Sequence, residues 1–496
     1  MVNIIAELSK YLLIILITAY TYSCFSVLGY ADTYAKNRIL FRQNVLMFII
    51  HFIAYLVMYL KTQDTRMIFF YVAQTVLYIA IISLYSVIYP KVSRLIVNNM
   101  CMLLCIGLIM ISRLAFDKAI KQFIIITGSI AVSLVIPVII RKVKFLKQWT
   151  NVYAGVGIAA LALVAIIGRT SYGAKLGFSI AGISIQPSEF VKIVFVFFVA
   201  SSMKESTEFK NVVKTTLLAA LHVLILVLSK DLGAALIIFV VYLVMLYVAT
   251  RQPLYLFSGL ASGCIAAIGA YQLFDHVRTR VVVWRDPFAV YDKGGYQVAQ
   301  SLFAIGTGSW FGMGLFQGAP NTIPVAEEDF IFSAISEELG LVFALCLILI
   351  CVSCYIMFLN IAMQIHDMFY KLIALGLGTC YIFQVFLTIG GATKFIPSTG
   401  VTLALVSYGG SSVLSTLIMF AIIQGLYILR EDEEEIIERQ RERLLQKEGR
   451  YSNARRHNAR IQKSSQGNVQ KDTTKANTKG NKKRKETPES NKQRIR

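Results

Sequence analysis

Long apolar runs alternate with short polar breaks from residue 11 to residue 429. A helix needs about 20 mostly apolar residues to cross a bilayer. Thirteen runs approach that length: 11–28, 45–60, 67–89, 95–111, 123–140, 152–167, 190–202, 213–228, 232–249, 254–274, 339–359, 372–389 and 403–429. The pattern predicts an all-α polytopic membrane protein with about 13 transmembrane helices. Only Ser229-Lys230-Asp231 separates the eighth run from the ninth, which predicts a tight helical hairpin. Two segments break the rhythm. Residues 275–330 form a long loop of mixed polarity, with Trp284-Arg285-Asp286-Pro287, Gly294-Gly295-Tyr296-Gln297 and the glycines from Gly306 to Gly318. After Arg430 the apolar residues thin out, first into an acidic stretch over 431–438 and then into a strongly basic one.

Composition agrees with that reading. Hydrophobic residues make up 56% of 496 positions and charged residues 16%, against roughly 45–50% and about 25% for soluble domains. The eight cysteines all lie in or beside apolar runs. They form neither a disulfide framework nor a paired zinc-ligand spacing, and Cys351 and Cys354 read as small buried hydrophobes. No basic stretch and small-residue cleavage site flank the first run, so 11–28 reads as a retained span rather than a signal peptide.

Residues 431–496 carry +8 of the net charge of +21, with 19 Lys/Arg against 11 Asp/Glu. That segment cannot bury enough surface to fold and is expected to be a disordered, basic cytoplasmic tail. It helps set topology and is suited to anionic lipid headgroups as a second role. No aromatic interleaving or folded module points to nucleic acid. With the tail inside, an odd number of spans places the N-terminus and the 275–330 loop on the extracytoplasmic side. Arg113, Lys118, Lys121, Arg169, Lys175, Lys230, Arg278, Arg280, Arg285, Lys293 and Lys394 then face outward as well. A cation-rich outer surface suits an anionic ligand such as a pyrophosphate.

Several motifs carry two readings. Gln186-Pro187-Ser188-Glu189 with Lys192 reads as a capped helix start with an i,i+3 ion pair, or as a place where Lys192 meets phosphate. Asp231 before Leu232-Gly233 caps a helix or lines a polar cavity with Lys230. Pro397-Ser398-Thr399-Gly400 and Ser407-Tyr408-Gly409-Gly410-Ser411-Ser412 permit close helix approach or a broken helix beside a cavity. Asp286 before Pro287 reads as a turn or as a catalytic carboxylate. Asp329, Glu337 and Glu338 enter an apolar run and need partners there; Glu327, Glu328 and Asp329 also raise a metal site as an alternative.

Together these stretches resemble the SEDS (shape, elongation, division and sporulation) family of RodA- and FtsW-like proteins. The resemblance rests on the motifs just quoted and on Gln300-Ser301, Ala304-Ile305-Gly306, Gly312, Gly314, Asp329-Phe330-Ile331-Phe332 and Glu337-Glu338-Leu339-Gly340, in order across roughly 95–429. It implies a ten-span core over 95–430, with 1–94 an added element of three spans. It implies a bacterial cytoplasmic-membrane peptidoglycan glycosyltransferase that polymerises lipid II at the outer face, in elongation, division or sporulation. A class B penicillin-binding protein is the implied partner, alongside membrane lipids. The family's essential loop aspartate carries over onto Asp286 as the catalytic base. Lys192, Glu189, Arg169, Lys175, Arg285, Asp231, Gln297, Ser301, Asp329 and Ser407 become substrate-binding candidates, the cations among them stabilising the departing pyrophosphate. The resemblance settles no cofactor; a divalent cation, Mg or Mn, stays open. Three departures mark a divergent or lineage-specific member: Ser229-Lys230-Asp231 replaces Gln-Pro-Asp, Pro324-Val325-Ala326-Glu327-Glu328-Asp329 replaces Pro-Glu-x-x-Thr-Asp, and no tryptophan follows Gly173-Ala174-Lys175. Two other functions fit the same outline: a flippase or transporter of a lipid-linked precursor, and a non-catalytic scaffold for a cell-wall synthase.

Overall fold

The computed structural model describes residues 2–30, 32–171, 174–180 and 183–476. They fall into two units, 1–431 and 432–496. In the first unit every apolar run expected from the sequence falls on a helix. Among the described residues eleven helices are long and apolar enough to cross a membrane, against about thirteen expected. The two others have clear reasons. The helix α7 (Thr150–Ile167) is short. The helix α8 (Pro187–Glu205) holds Glu189, Lys192, Lys204 and Glu205 within 19 residues.

The core is built around α4 (Arg94–Leu114), which is apolar on all sides and buried along nearly its whole length. A helix with no polar face must be surrounded. Its neighbours include α5 (Phe116–Ser133), which continues through Pro137 into the short α6 (Ile136–Lys142). The N-terminal helices α1 (Val2–Gly29), α2 (Thr33–Thr62) and α3 (Arg66–Ile88) pack onto this core. Buried polar contacts fix their register. Tyr20 OH donates to Asn99 Oδ1 at 3.1 Å, Asn98 donates to Gln43 Oε1 at 3.2 Å, and the hydroxyls of Tyr55 and Ser112 lie 2.8 Å apart.

The hairpin of α9 (Phe209–Leu228) and α10 (Leu232–Thr250) is as expected. The next helix, α11 (Pro253–Leu273), has no buried residues. It meets α10 through Gly259 and Gly263, where an added Cβ would stand 2.3 Å from Leu243 and 2.5 Å from Phe239. This is the small-residue contact that lets two membrane helices approach closely. A small antiparallel sheet joins α7 to α8, with strands β1 (Arg169–Ser171), β2 (Ala174–Ile180) and β3 (Ile183–Ile185) in that order. The sequence reading had no strands there; the helical periodicity of its neighbours outweighed a short alternating stretch.

The decisive irregularity lies in α14 (Ile331–Gln364). Gly340 sits inside it at φ 88° and ψ 163°, which breaks the helical hydrogen-bond ladder. The preceding loop fills the break: Leu341 N donates to Ser309 O at 2.9 Å, Val342 N to Trp310 O at 3.2 Å, Met313 N to Glu337 O at 2.8 Å and Gly314 N to Glu338 O at 2.8 Å. Backbone groups freed at membrane depth survive only with such partners. The following α15 (Met368–Ala392) leads into a non-helical loop over 393–409, buried from Leu403 to Ser407, and then α16 (Gly410–Ala476) begins. The last span was expected from residue 403. It starts at Gly410, because Ser407 and Gln122 tie the preceding loop down. In the second unit, residues 432–476 are helical and none of the described side chains is buried.

Gly340→Ala tests the break. A Cβ there would lie 2.4 Å from Gly312 N, and the positive φ adds strain of about 1–3 kcal/mol. The purified variant should show a lower thermal midpoint than the wild type. Gly269→Ala, at a helical position with nothing within 4 Å, should match the wild type.

Candidate active site

One end of the helix bundle gathers the loop, the acids and the outward cations. The helix α12 (Asp275–Arg285) is anchored across it by two side chains: Trp284 Nε1 donates to Lys394 O at 3.2 Å and Arg280 Nη1 donates to Ser398 O at 3.0 Å. Asp286 ends this helix. Its Oδ1 accepts from the backbone N–H groups of Phe288 and Ala289, both at 3.1 Å, so the turn and the carboxylate coexist at one residue. Asp286 and Arg285 are exposed, whereas Pro287 is buried beneath them. A Cβ on Gly295 would stand 2.1 Å from Pro287 O, which is why the chain returns so tightly before α13 (Tyr296–Gly308). Gln297 is half-buried on α13. Ser301 is buried deeper, with its hydroxyl 2.6 Å from that of Ser333 and donating to Ala392 O at 2.7 Å.

Below α12 lies a polar recess. Gly400, at φ 72°, is placed between two charges: a Cβ there would be 3.6 Å from Asp329 Oδ2 and 3.8 Å from Arg280 Nη2. Asp231 caps α10, accepting from Ala234 N at 3.1 Å, from Gln186 at 3.1 Å and from Ser188 at 2.8 Å. Thr399 packs against Gly233 beside it. Thr399 Oγ1 and His276 Nε2 are buried without a hydrogen-bond partner, an uncommon state that a bound ligand can relieve. Burial pushes the Asp329 carboxyl up to about 6; Glu328 adds to the rise and Arg280 opposes it. Burial also lowers the His276 pKa, helped by Lys230 and Arg280.

Several other charges have partners. Arg113 Nε and Nη2 each lie 2.9 Å from Glu338 Oε1, which also accepts from Phe316 N at 3.2 Å. Glu337 accepts from Ala319 N at 2.8 Å. Lys118 pairs with Glu327 and, at 3.4 Å, with Glu328. Ser407 is buried, accepts from Leu403 N at 2.9 Å and donates to Glu328 O. The Glu327-Glu328-Asp329 run does not fit a metal site, because an ammonium occupies two of its carboxylates and the third faces Arg280. Among the described residues no group of three acid, His or Cys side chains is placed to hold an ion.

A second polar layer runs inward from the recess. Lys192 is buried between Glu189 Oε1 at 3.0 Å and Gln384 Oε1 at 2.7 Å. Ser415 donates to Glu189 Oε2 at 3.0 Å, and Gln384 donates to Thr402 O at 3.0 Å. The i,i+3 pair expected from the sequence is present, and it encloses Lys192 rather than leaving it on an open surface. Arg169 and Lys175 belong to β1 and β2; their side chains lie outside the described residues. Asp231 and Asp329 both act on the Arg280 guanidinium. Asp286 and Arg285 stand at the outer rim of the recess, Gln297 half-buried on α13, and Lys192, Glu189, Ser301 and Ser407 in the packed layer beneath. Sequence reasoning missed Gln384 and Gln122, and gave Arg280 no role beyond its charge. A lone amide inside the 372–389 run was the available signal for Gln384; Gln122 sits beside Lys121, just before the 123–140 run.

Residues 93–431 match the protein-family model for FtsW, RodA and SpoVE, described as cell cycle protein. Over 363 residues the chain is 34% identical to the peptidoglycan glycosyltransferase RodA of Mycobacterium tuberculosis, covering 67% of this chain and 77% of that one. It is 30% identical to the probable peptidoglycan glycosyltransferase FtsW of Saccharophagus degradans, covering 68% and 93%. Among solved structures the fold is similar to a chain of a peptidoglycan synthase complex that coordinates polymerization and crosslinking, with a TM-score of 0.59, 23% identity and coverage of 68% and 98%. The rod shape determining protein RodA of Thermus thermophilus gives a TM-score of 0.53, with 21% identity and coverage of 68% and 97%.

The raised Asp329 pKa has a definite sign. A carboxyl that binds its proton more tightly when folded stabilises the fold at low pH; that contribution is complete below about 4 and is lost as pH rises through about 6. Asp329→Asn keeps the shape without the charge. Its stability relative to wild type should rise between pH 4 and pH 7, by up to roughly 3 kcal/mol. Thermal midpoints of the two proteins measured across that range check this, and a constant gap would count against it.

Proposed function

The chain belongs to the FtsW/RodA/SpoVE family of cell cycle proteins, the SEDS family, and on that premise we propose how it works. It is a peptidoglycan glycosyltransferase of the membrane, polymerising lipid II into glycan strands. The observation that carries this is the match over 93–431, which spans the loop, the recess and the buried polar layer in one stretch. The 275–330 loop faces outside and the basic tail faces the cytoplasm. The N-terminus lies on the loop side, a placement supported by Lys10 Nζ donating to Gly312 O at 3.2 Å. Residues 1–94 are an added module, and the partner is a class B penicillin-binding protein that crosslinks the product.

Chemically, the acceptor sugar hydroxyl attacks the anomeric carbon of the donor and loses its proton, while the bond to undecaprenyl pyrophosphate breaks. Asp286 takes that proton: it is exposed at the rim, and two backbone N–H groups orient its Oδ1 and leave Oδ2 to the acceptor. The leaving pyrophosphate gathers negative charge, and the recess supplies a fixed cation. Arg280 is held by Ser398 O through one nitrogen, six residues and about 9 Å of helix before Asp286. Its Nη2 faces Gly400 and so the recess. Thr399 Oγ1 and His276 Nε2 add polar atoms for the same ligand. Asp231 and the Lys192–Glu189 pair hold the wall behind them, and Arg169, Lys175, Arg285, Gln297 and Asp329 contribute to lipid II binding around the rim. Ser301 and Ser407 position the helices that carry it.

Purified protein with labelled lipid II, with and without a class B penicillin-binding protein, tests the reading. Asp286→Ala should lower polymer formation by about 10²–10⁴-fold. No polymer from wild type under any condition would sink the polymerase, and undiminished polymer from Asp286→Ala would sink the base. Arg280→Gln should cost roughly 10²–10³-fold, whereas Arg285→Gln, at an exposed position, should cost less than about tenfold. The reverse order would move the leaving-group site to the rim.

A further inference from the structure

At the end of α4 remote from Arg113 lies a cavity of about 160 Å³. Arg94 and Arg113 are about 28 Å apart along the helix, so this cavity is separate from the recess. It is formed where α2 and α3 meet the start of α4, between the added N-terminal helices and the core. Its wall is polar on one side, with Asn37, Asn44 and Arg94, and apolar on the other, with Leu40, Phe41 and Ile82. Three observations give it a ligand class. Asn44 Oδ1 is buried and accepts no hydrogen bond, so a donor from outside the protein would satisfy it. Arg94 is exposed and reaches Asn37 Oδ1 with one nitrogen at 3.4 Å, which leaves donors of its fork for an acceptor. Phe41, which lines the cavity, is 68% exposed on a helix long and apolar enough to cross a membrane. The nearby chain is basic as well: 30–42 and 89–94 hold Lys36, Arg38, Arg42, Lys91 and Arg94 against one acid, Asp32. Basic pockets between membrane helices are suited to anionic headgroups.

We propose that this cavity binds the headgroup of an anionic glycerophospholipid, joining the added N-terminal module to the core. The phosphodiester accepts from Arg94, a headgroup hydroxyl donates to Asn44 Oδ1, and an acyl chain lies along Phe41 and Ile82. The proposal is independent of the polymerase reading. Native mass spectrometry of the full chain, delipidated and titrated with single lipids, tests it. Phosphatidylglycerol has both the charge and the donor; phosphatidylcholine has neither a net charge nor a headgroup donor. Phosphatidylglycerol should bind at least about tenfold more tightly than phosphatidylcholine, and Arg94→Gln should weaken it about tenfold. Asn44→Leu should also weaken it, and Lys36→Gln, outside the cavity, should not. Thermal midpoints confirm that each variant is folded; because Arg94 is exposed, Arg94→Gln decides the matter alone should Asn44→Leu fail to fold. Equal binding of the two lipids, or equal losses from Lys36→Gln and Arg94→Gln, would reduce the effect to diffuse surface charge and overturn the site. Displacement of the lipid by millimolar inorganic phosphate would assign the cavity to free phosphate instead.

Discussion

The loop face depends on one constraint: backbone polar groups buried away from water must find partners. Gly340 breaks α14 inside the apolar layer, and the chain from Ser309 to Gly314 supplies the missing hydrogen bonds on both sides of the break. Only glycine fits where these backbones meet, since a Cβ on Gly312 would stand 2.4 Å from Glu338 O and one on Gly340 2.4 Å from Gly312 N. The interlock has an electrostatic consequence. It holds Glu337 and Glu338 where Ala319 N, Phe316 N and Arg113 reach them. Removing one partner of a buried pair such as Arg113–Glu338 costs about 3–5 kcal/mol, because the other charge stays behind. The break in the helix and the ion pair beneath it are therefore one structural device.

That device separates structural charge from available charge. Lys118, Arg113 and Lys192 are each engaged by carboxylates, and an engaged cation has little left for a substrate. Arg280 and Asp329 are different. They approach the same glycine without forming an ion pair among the described residues, and Asp329 carries a raised pKa. Unsatisfied atoms on Thr399 and His276 lie on the segments that flank this pair. Incomplete neutralisation beside incomplete hydrogen bonding is what a site awaiting an anionic ligand would show. The packed acids Glu337 and Glu338 also keep one unpartnered oxygen each, but there Arg113 and backbone N–H groups already occupy the other oxygen.

The sequence carried the membrane class and the helix positions, because a run of 20 apolar residues has few other uses. It also carried the pairing of Glu189 with Lys192, since i,i+3 neighbours must meet on a helix. It could not separate α4 from α11. Both are apolar all round, yet one is enclosed and the other has no buried residue; the difference lies in their neighbours, which periodicity does not encode. The start of α16 was misplaced for a related reason. Residues 403–406 are apolar enough to join a span, but their backbone is held by Ser407 and by Gln122 from a helix nearly 300 positions away. Arg280 was visible only as charge. Its importance comes from Ser398 and Gly400, more than 100 residues later in the chain, which no local pattern predicts.

The N-terminal helices reach the same device from outside. Lys10 donates to Gly312 O, and the rings of Tyr11 and Phe311 pack at a tilt with centroids 5.9 Å apart. Both contacts fall on the segment that fills the break at Gly340. From another side, Tyr55 bonds Ser112, the residue before Arg113. The helix α1 therefore touches the backbone interlock directly, and α2 touches the residue beside its ion pair. A loop held only by its own short hydrogen bonds opens at low free-energy cost; one also held by a packed helix does not. The N-terminal helix α1 thus braces the loop that precedes the acids.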